Sequence, residues 1–129
     1  MQKHHILALT IALLGCCTAA QAATPPALYN PAQAASGAQL YNQHCAMCHG
    51  QPAQGWLFSS PKVTHSRLGD IFSIMTTRMP FNAPGSLNHA QYEDIMAYIL
   101  KQNGYPAGTT ALNYNHTLKS QRRIGLDYK

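Results

Sequence analysis

Apolar residues recur at helical spacing in three stretches of this chain, and nowhere do they alternate at the two-residue period of a strand. From Pro31 a helix is predicted to run towards Cys48. Gly37, Leu40, Tyr41 and Cys45 fall three and four residues apart on one face, and Pro31 sits in the first turn, where a missing N–H is tolerated. A glycine inside a helix costs about 1 kcal/mol relative to alanine. Gly37 therefore points to close contact with another element, with plain tolerance as the alternative. A second, shorter helix is predicted around Arg67 to Thr77, where Leu68, Ile71, Phe72 and Met75 form the apolar stripe. Met79-Pro80 breaks it, and the stretch from Phe81 to Ser86 is rich in turns. The last helix has both ends marked. Asn88 caps it, with Gln91 three residues on completing a capping box, and Tyr92, Ile95, Met96, Ile99 and Leu100 form its apolar face. Lys101 suits the C-terminal dipole, Gly104 the left-handed cap, and Pro106 stops continuation. Gly50 to Ser66, with Pro52, Gly55 and Pro61, reads as loop. The pattern predicts an all-α fold of three main helices joined by loops, without internal repeats.

The two ends read differently. Lys3, His4 and His5 precede an apolar run from Ile6 to Leu14, and Ala20-Gln21-Ala22 offers a cleavage site, so residues 1–22 are expected to be an export signal. The run is too short to span a bilayer, which takes about twenty residues. Leu13-Leu14-Gly15-Cys16 supports a second reading, a lipoprotein box in which lipidated Cys16 becomes the mature N-terminus. The expected location is the periplasm, with membrane anchoring only if Cys16 is lipidated. Residues 23–30, containing Pro25 and Pro26, read as an exposed leader, and residues 31–108 as the domain proper. Residues 109–129 lose periodicity and carry Lys119, Arg122, Arg123 and Lys129 against Asp127. They are expected to form a solvated, partly ordered basic extension, with partner docking as the alternative.

The length of 129 residues suits one domain with a small core. Nine Lys and Arg against four Asp and Glu give a formal charge of +5. That weak excess suits an acidic protein partner. It is too small, and too poorly clustered with aromatics, for nucleic acid. If Cys16 and Cys17 leave with the signal, Cys45 and Cys48 alone remain, which excludes a disulfide framework and a four-cysteine zinc site.

Those two cysteines belong to Cys45-Ala46-Met47-Cys48-His49, the Cys-x-x-Cys-His signature of c-type haem attachment. On a helical turn the three functional side chains lie at i, i+3 and i+4 and face one way. The thiols can then form thioethers with two haem vinyl groups while His49 binds iron from the proximal side. A thioredoxin-like pair would require a βαβ context, which the chain does not offer, and a structural disulfide would leave His49 without a role. For the sixth ligand, Met79 ends a helix before Pro80 and a run of turns, so its loop can carry a thioether over the haem face. The competing donors are Met75, Met96, His65, His89 and His116. Met75 and Met96 lie on apolar stripes, where core packing is the default, and the histidines lie in exposed settings. Met47, inside the attachment loop, is badly placed to reach the far side.

These blocks resemble class I cytochromes c, the small monohaem electron carriers. The likeness rests on Gly37 to Tyr41 leading into Cys45-Ala46-Met47-Cys48-His49-Gly50, on Met79-Pro80, and on Glu93-Asp94-Ile95-Met96-Ala97-Tyr98-Ile99. The resemblance implies that the first and last helices cross, with Gly37 and Tyr41 against Ile95 and Tyr98. A narrower likeness over residues 67–108, including Arg78 to Leu87 and Asn103-Gly104-Tyr105-Pro106-Ala107-Gly108, is to cytochrome c domains associated with quinoprotein dehydrogenases. The resemblance further implies a loop proline carbonyl accepting from His49, with Pro61 and Pro52 as the candidates. Trp56 is either a neighbour of a haem propionate or core filling.

With His49 and Met79 both on iron, no coordination position remains for a substrate, and methionine raises the potential relative to a second histidine. The expected function is periplasmic transfer of single electrons through one covalent haem c, to or from a dehydrogenase, oxidase or other cytochrome, without catalysis of its own. The alternatives are a cytochrome subunit of a larger quinoprotein dehydrogenase or oxidase, and a haem enzyme or gas sensor with an open distal position.

Overall fold

The computed structural model describes residues 27–53 and 66–124, so the export signal, Cys16, Trp56, Pro61 and His65 lie outside the described residues. Within them the chain forms helices and two isolated bridges, with no strand. Helix α1 spans Pro31–His44. Asn30 caps it by accepting from the Gln33 N–H at 2.9 Å, and Pro31 occupies the first turn as the sequence requires. A single turn, α2 (Ala46–His49), follows at once. Helix α3 covers Leu68–Arg78 and α4 covers His89–Gln102. At the start of α4, Asn88 and Gln91 exchange both bonds of the capping box at 2.9 Å. Its end is closed by Asn103, and Gly104 follows at a φ of 82°. A fifth helix, α5 (Tyr114–Leu118), lies in the tail. None of the described helices is long and apolar enough to cross a membrane.

The core forms where the apolar stripe of α4 meets α1, with α3 packed against α4 and α5. Leu68, Ile71 and Phe72 of α3 and Tyr92, Ile95, Met96, Ile99 and Leu100 of α4 are all buried. Helices α1 and α4 make the most extensive helix–helix contact. Gly37 explains how they approach so closely: a Cβ there would collide with the backbone carbonyl of Asp94 and press on the Cβ of Tyr98. One turn along, the rings of Tyr41 and Tyr98 pack at 5.3 Å with a 51° tilt. The expected crossing is thus found, with Asp94 and Tyr98 supplying the atoms nearest to Gly37.

Among the described residues, both flanks of the domain depart from expectation. The leader is not wholly exposed. Tyr29 is buried, its hydroxyl donates to the Tyr105 carbonyl at 2.8 Å, and its own carbonyl accepts from Gly108 N–H at 2.8 Å. Nor do residues 109–124 stand off as a solvated extension. Leu112, Thr117 and Ile124 are buried, and the Gln33 side-chain amide pairs with both backbone groups of Leu112, at 3.0 and 2.7 Å. The Glu93 carboxylate accepts from Tyr114 N–H at 2.6 Å, and the Tyr114 and Phe72 rings pack in a T-shaped pair 5.4 Å apart. Farther on, the Ser120 and Arg122 carbonyls take the first amides of α3, from Gly69 at 3.1 Å and Leu68 at 2.8 Å. These amides have no intrahelical partner, so the tail completes the helix. Gly69 admits it, since a Cβ there would stand 2.5 Å from the Leu118 carbonyl oxygen. Isolated apolar residues without periodicity, held by backbone pairing, leave no pattern in sequence.

Gly37→Ala should destabilise the haem-loaded protein by about 2 kcal/mol, despite alanine's better helix propensity, because the two backbones must part. Chemical denaturation would measure this, and an unchanged midpoint would contradict the close crossing. A chain ended at Gly108 loses the buried Leu112 and Ile124, a cost of at least about 3 kcal/mol, visible as a large drop in melting temperature.

Candidate haem site

The turn after α1 is built by backbone bonding. Cys48 and His49 N–H groups both bond to the Cys45 carbonyl, at 3.2 and 2.9 Å, and Gly50 N–H bonds to Ala46 at 2.8 Å. Cys45, Cys48 and His49 are therefore carried on one helical turn, as their spacing predicts. The Tyr41 hydroxyl donates to the Gly50 carbonyl at 3.1 Å and ties the end of this turn back to α1. All three side chains line a cavity of about 350 Å³. The aliphatic side chains of Ile71, Ile74, Ile95 and Ile99 make up much of its wall, and Met79 reaches it from a separate segment of the chain.

Burial shapes the electrostatics here. The Cys45 thiol is pushed up to about 11, first by burial and then by neighbouring Cys48, so it stays protonated near neutral pH. Burial also holds His49 below the ordinary imidazole value, which keeps it neutral with a nitrogen lone pair suited to a metal.

Met79 caps the end of α3, its N–H bonding to the Met75 carbonyl at 3.2 Å. Its own carbonyl is held twice, by the Tyr92 hydroxyl at 2.7 Å and by Gly85 N–H at 3.3 Å. The turns that follow are closed by Ala83 N–H to Pro80 O at 3.0 Å and Ser86 N–H to Ala83 O at 3.2 Å. Among the competing donors, Met75 and Met96 also line the cavity, but from helix faces that pack into the core. His89 instead stacks on Tyr114 at 3.6 Å, and His116 is exposed on α5; neither lines the cavity. Met47 is exposed at the rim.

Two features escaped the reading of the sequence. Tyr92 appeared there only as one apolar position of a stripe, yet its hydroxyl holds the Met79 backbone. Nothing in periodicity marks which end of a buried tyrosine finds a polar partner. The Asn103 side chain likewise bridges the Ala53 and Ile99 carbonyls at 3.0 and 2.8 Å, fixing the start of the loop after α2 to the end of α4.

A paired thiol turn, a neutral imidazole and a thioether facing aliphatic walls fit haem: sulfur and nitrogen donors for attachment and iron, with an apolar surround for the macrocycle. Among the described residues no group of three or more His, Cys, Asp and Glu gathers to hold a bare metal ion.

The protein family described as cytochrome C oxidase, cbb3-type, subunit III, matches residues 32–99, a span that contains Cys45, Cys48, His49 and Met79. No curated protein matches the chain. In fold it is similar to a crystal structure of the sulfane dehydrogenase SoxCD from Paracoccus pantotrophus, with a TM-score of 0.53 and 20% sequence identity. That match covers 74% of this chain and 54% of the other, so the chain spans about half the length of its structural relative. Helices, cavity and family match agree on a haem-binding electron-transfer module, and the chain belongs to the cytochrome c domains of the cbb3-type oxidase subunit III family.

Proposed function

We propose that this chain is an exported carrier of single electrons, holding one haem through thioethers from Cys45 and Cys48, with His49 and Met79 as the axial pair. The observation that carries this reading is the convergence of those four side chains, from two separate segments, on one aliphatic cavity. When bound, the haem supplies an iron that alternates between ferric and ferrous states. The chain's own residues do the rest. Cys45 and Cys48 would hold the group through thioethers, each thiol supplying the sulfur and the hydrogen that a vinyl group would take up. The α2 turn presents both thiols and the imidazole together, and the paired bonds on the Met79 carbonyl fix the loop that carries the thioether. Ile71, Ile74, Ile95 and Ile99 would give the macrocycle an apolar surround. His49 and Met79 would hold the iron between them, which would leave it to exchange electrons rather than bind a substrate.

The expected partners are redox proteins: a dehydrogenase, an oxidase or another cytochrome. The net positive charge suits an acidic docking face on such a partner. Export to the periplasm rests on the pattern of residues 1–22, with anchoring through lipidated Cys16 as the alternative. The family description and the likeness to a dehydrogenase favour a second reading, in which the chain serves as the cytochrome subunit of a larger oxidoreductase. Copurification with a large flavin- or quinone-cofactor enzyme would support the subunit over the free carrier.

In a host competent for cytochrome assembly, Met79→Ala should retain covalent haem by intact mass. It should lose the sulfur-to-iron charge-transfer band and bind cyanide or carbon monoxide. An unchanged low-spin spectrum and potential would remove Met79 from iron. Cys48→Ser should impair attachment itself, seen as reduced haem mass. A colourless wild-type protein from the same host would overturn the whole reading.

A further inference from the structure

We propose that Tyr92 is a positioning residue for Met79, its hydroxyl holding the Met79 carbonyl so that the thioether stays at the cavity. This rests on the reading of Met79 as an axial ligand.

The geometry is specific. Tyr92 lies in the first turn of α4, immediately after the capping box, and its ring is 2% exposed. Its phenol spans the gap from α4 to the last residue of the α3 boundary and donates to the Met79 carbonyl at 2.7 Å. Gly85 N–H reaches the same oxygen at 3.3 Å, a longer and weaker bond. The N–H of the proposed ligand is held within the end of α3 by Met75, but its carbonyl depends chiefly on a side chain from another helix. Phenylalanine at this position would fill the same apolar site and take away only the donor.

An iron ligand on a loop competes with any small ligand from solution, and the outside ligand binds in proportion to the time the loop ligand is off. The Tyr92 bond exists only while the Met79 backbone sits in its place, so it weights that competition towards Met79. The loss of one such bond should raise the affinity of the ferric protein for imidazole by about tenfold.

The test uses the full chain matured with haem. The wild type is first checked for the sulfur-to-iron band and for its loss in Met79→Ala. Tyr92→Phe should then keep its haem and its low-spin resting spectrum while binding imidazole about tenfold more tightly. Leu100→Val, which weakens the core from a buried position that does not line the cavity, should leave imidazole affinity unchanged. Wild-type affinity in Tyr92→Phe overturns the proposal, as does an equal rise in Leu100→Val, which would mark general softening. If the wild type lacks the sulfur band and Met79→Ala changes nothing, the ligation reading fails and takes this inference with it. A present band with an unaffected Tyr92→Phe defeats this inference alone.

Discussion

Where Gly37 lets α1 lie against the backbone of α4 at Asp94, two distant parts of the chain acquire a common reference frame. One end of α1 runs directly into the turn that carries Cys45, Cys48 and His49. The first turn of α4 holds the Met79 carbonyl through Tyr92. The two halves of the proposed iron coordination are therefore positioned by a single helix crossing. Rigid elements meeting at backbone contact leave little slack, because a packed interface cannot deform without losing contacts on both sides. The aromatic pair Tyr41 and Tyr98 extends the same contact, and Tyr41 also reaches forward to Gly50. One residue thus serves both the crossing and the haem turn.

Around that crossing the tail works as a strap. It touches α1 through Gln33, α4 through Glu93, and α3 through the amides of Leu68 and Gly69. Each contact satisfies a backbone group that would otherwise need water, and Leu112 and Ile124 add apolar burial. A small domain has few residues with which to build a core, so enlisting the tail adds appreciably to it.

Helix positions, the capping box at Asn88 and Gln91, the haem turn and the glycine at the crossing were legible because each is a local pattern. Periodicity places the stripes of α3 and α4, and the Cys-x-x-Cys-His spacing places three side chains on one turn. The position of Met79 at the end of α3, beside the cavity, was legible for a related reason, since a methionine before proline at a helix end is a loop residue rather than a core one. The packing of Tyr29, Leu112 and Ile124 was not legible. Their contacts are single anchors joined by backbone bonds across many residues, and a proline-containing leader or a basic tail looks the same in sequence whether held or free. The hydroxyl of Tyr92 escaped notice because a stripe identifies the ring and says nothing of the oxygen.

The bonds between Tyr29 and Tyr105, and between Gln33 and Leu112, join residues 76 and 79 positions apart. The Cys45–His49 turn, by contrast, closes through bonds between residues three and four positions apart. Long-range pairings carry a larger loop-closure cost than such local ones and form later in folding. The topology thus separates a thiol-bearing turn that can form by itself from an enclosure that needs nearly the whole domain.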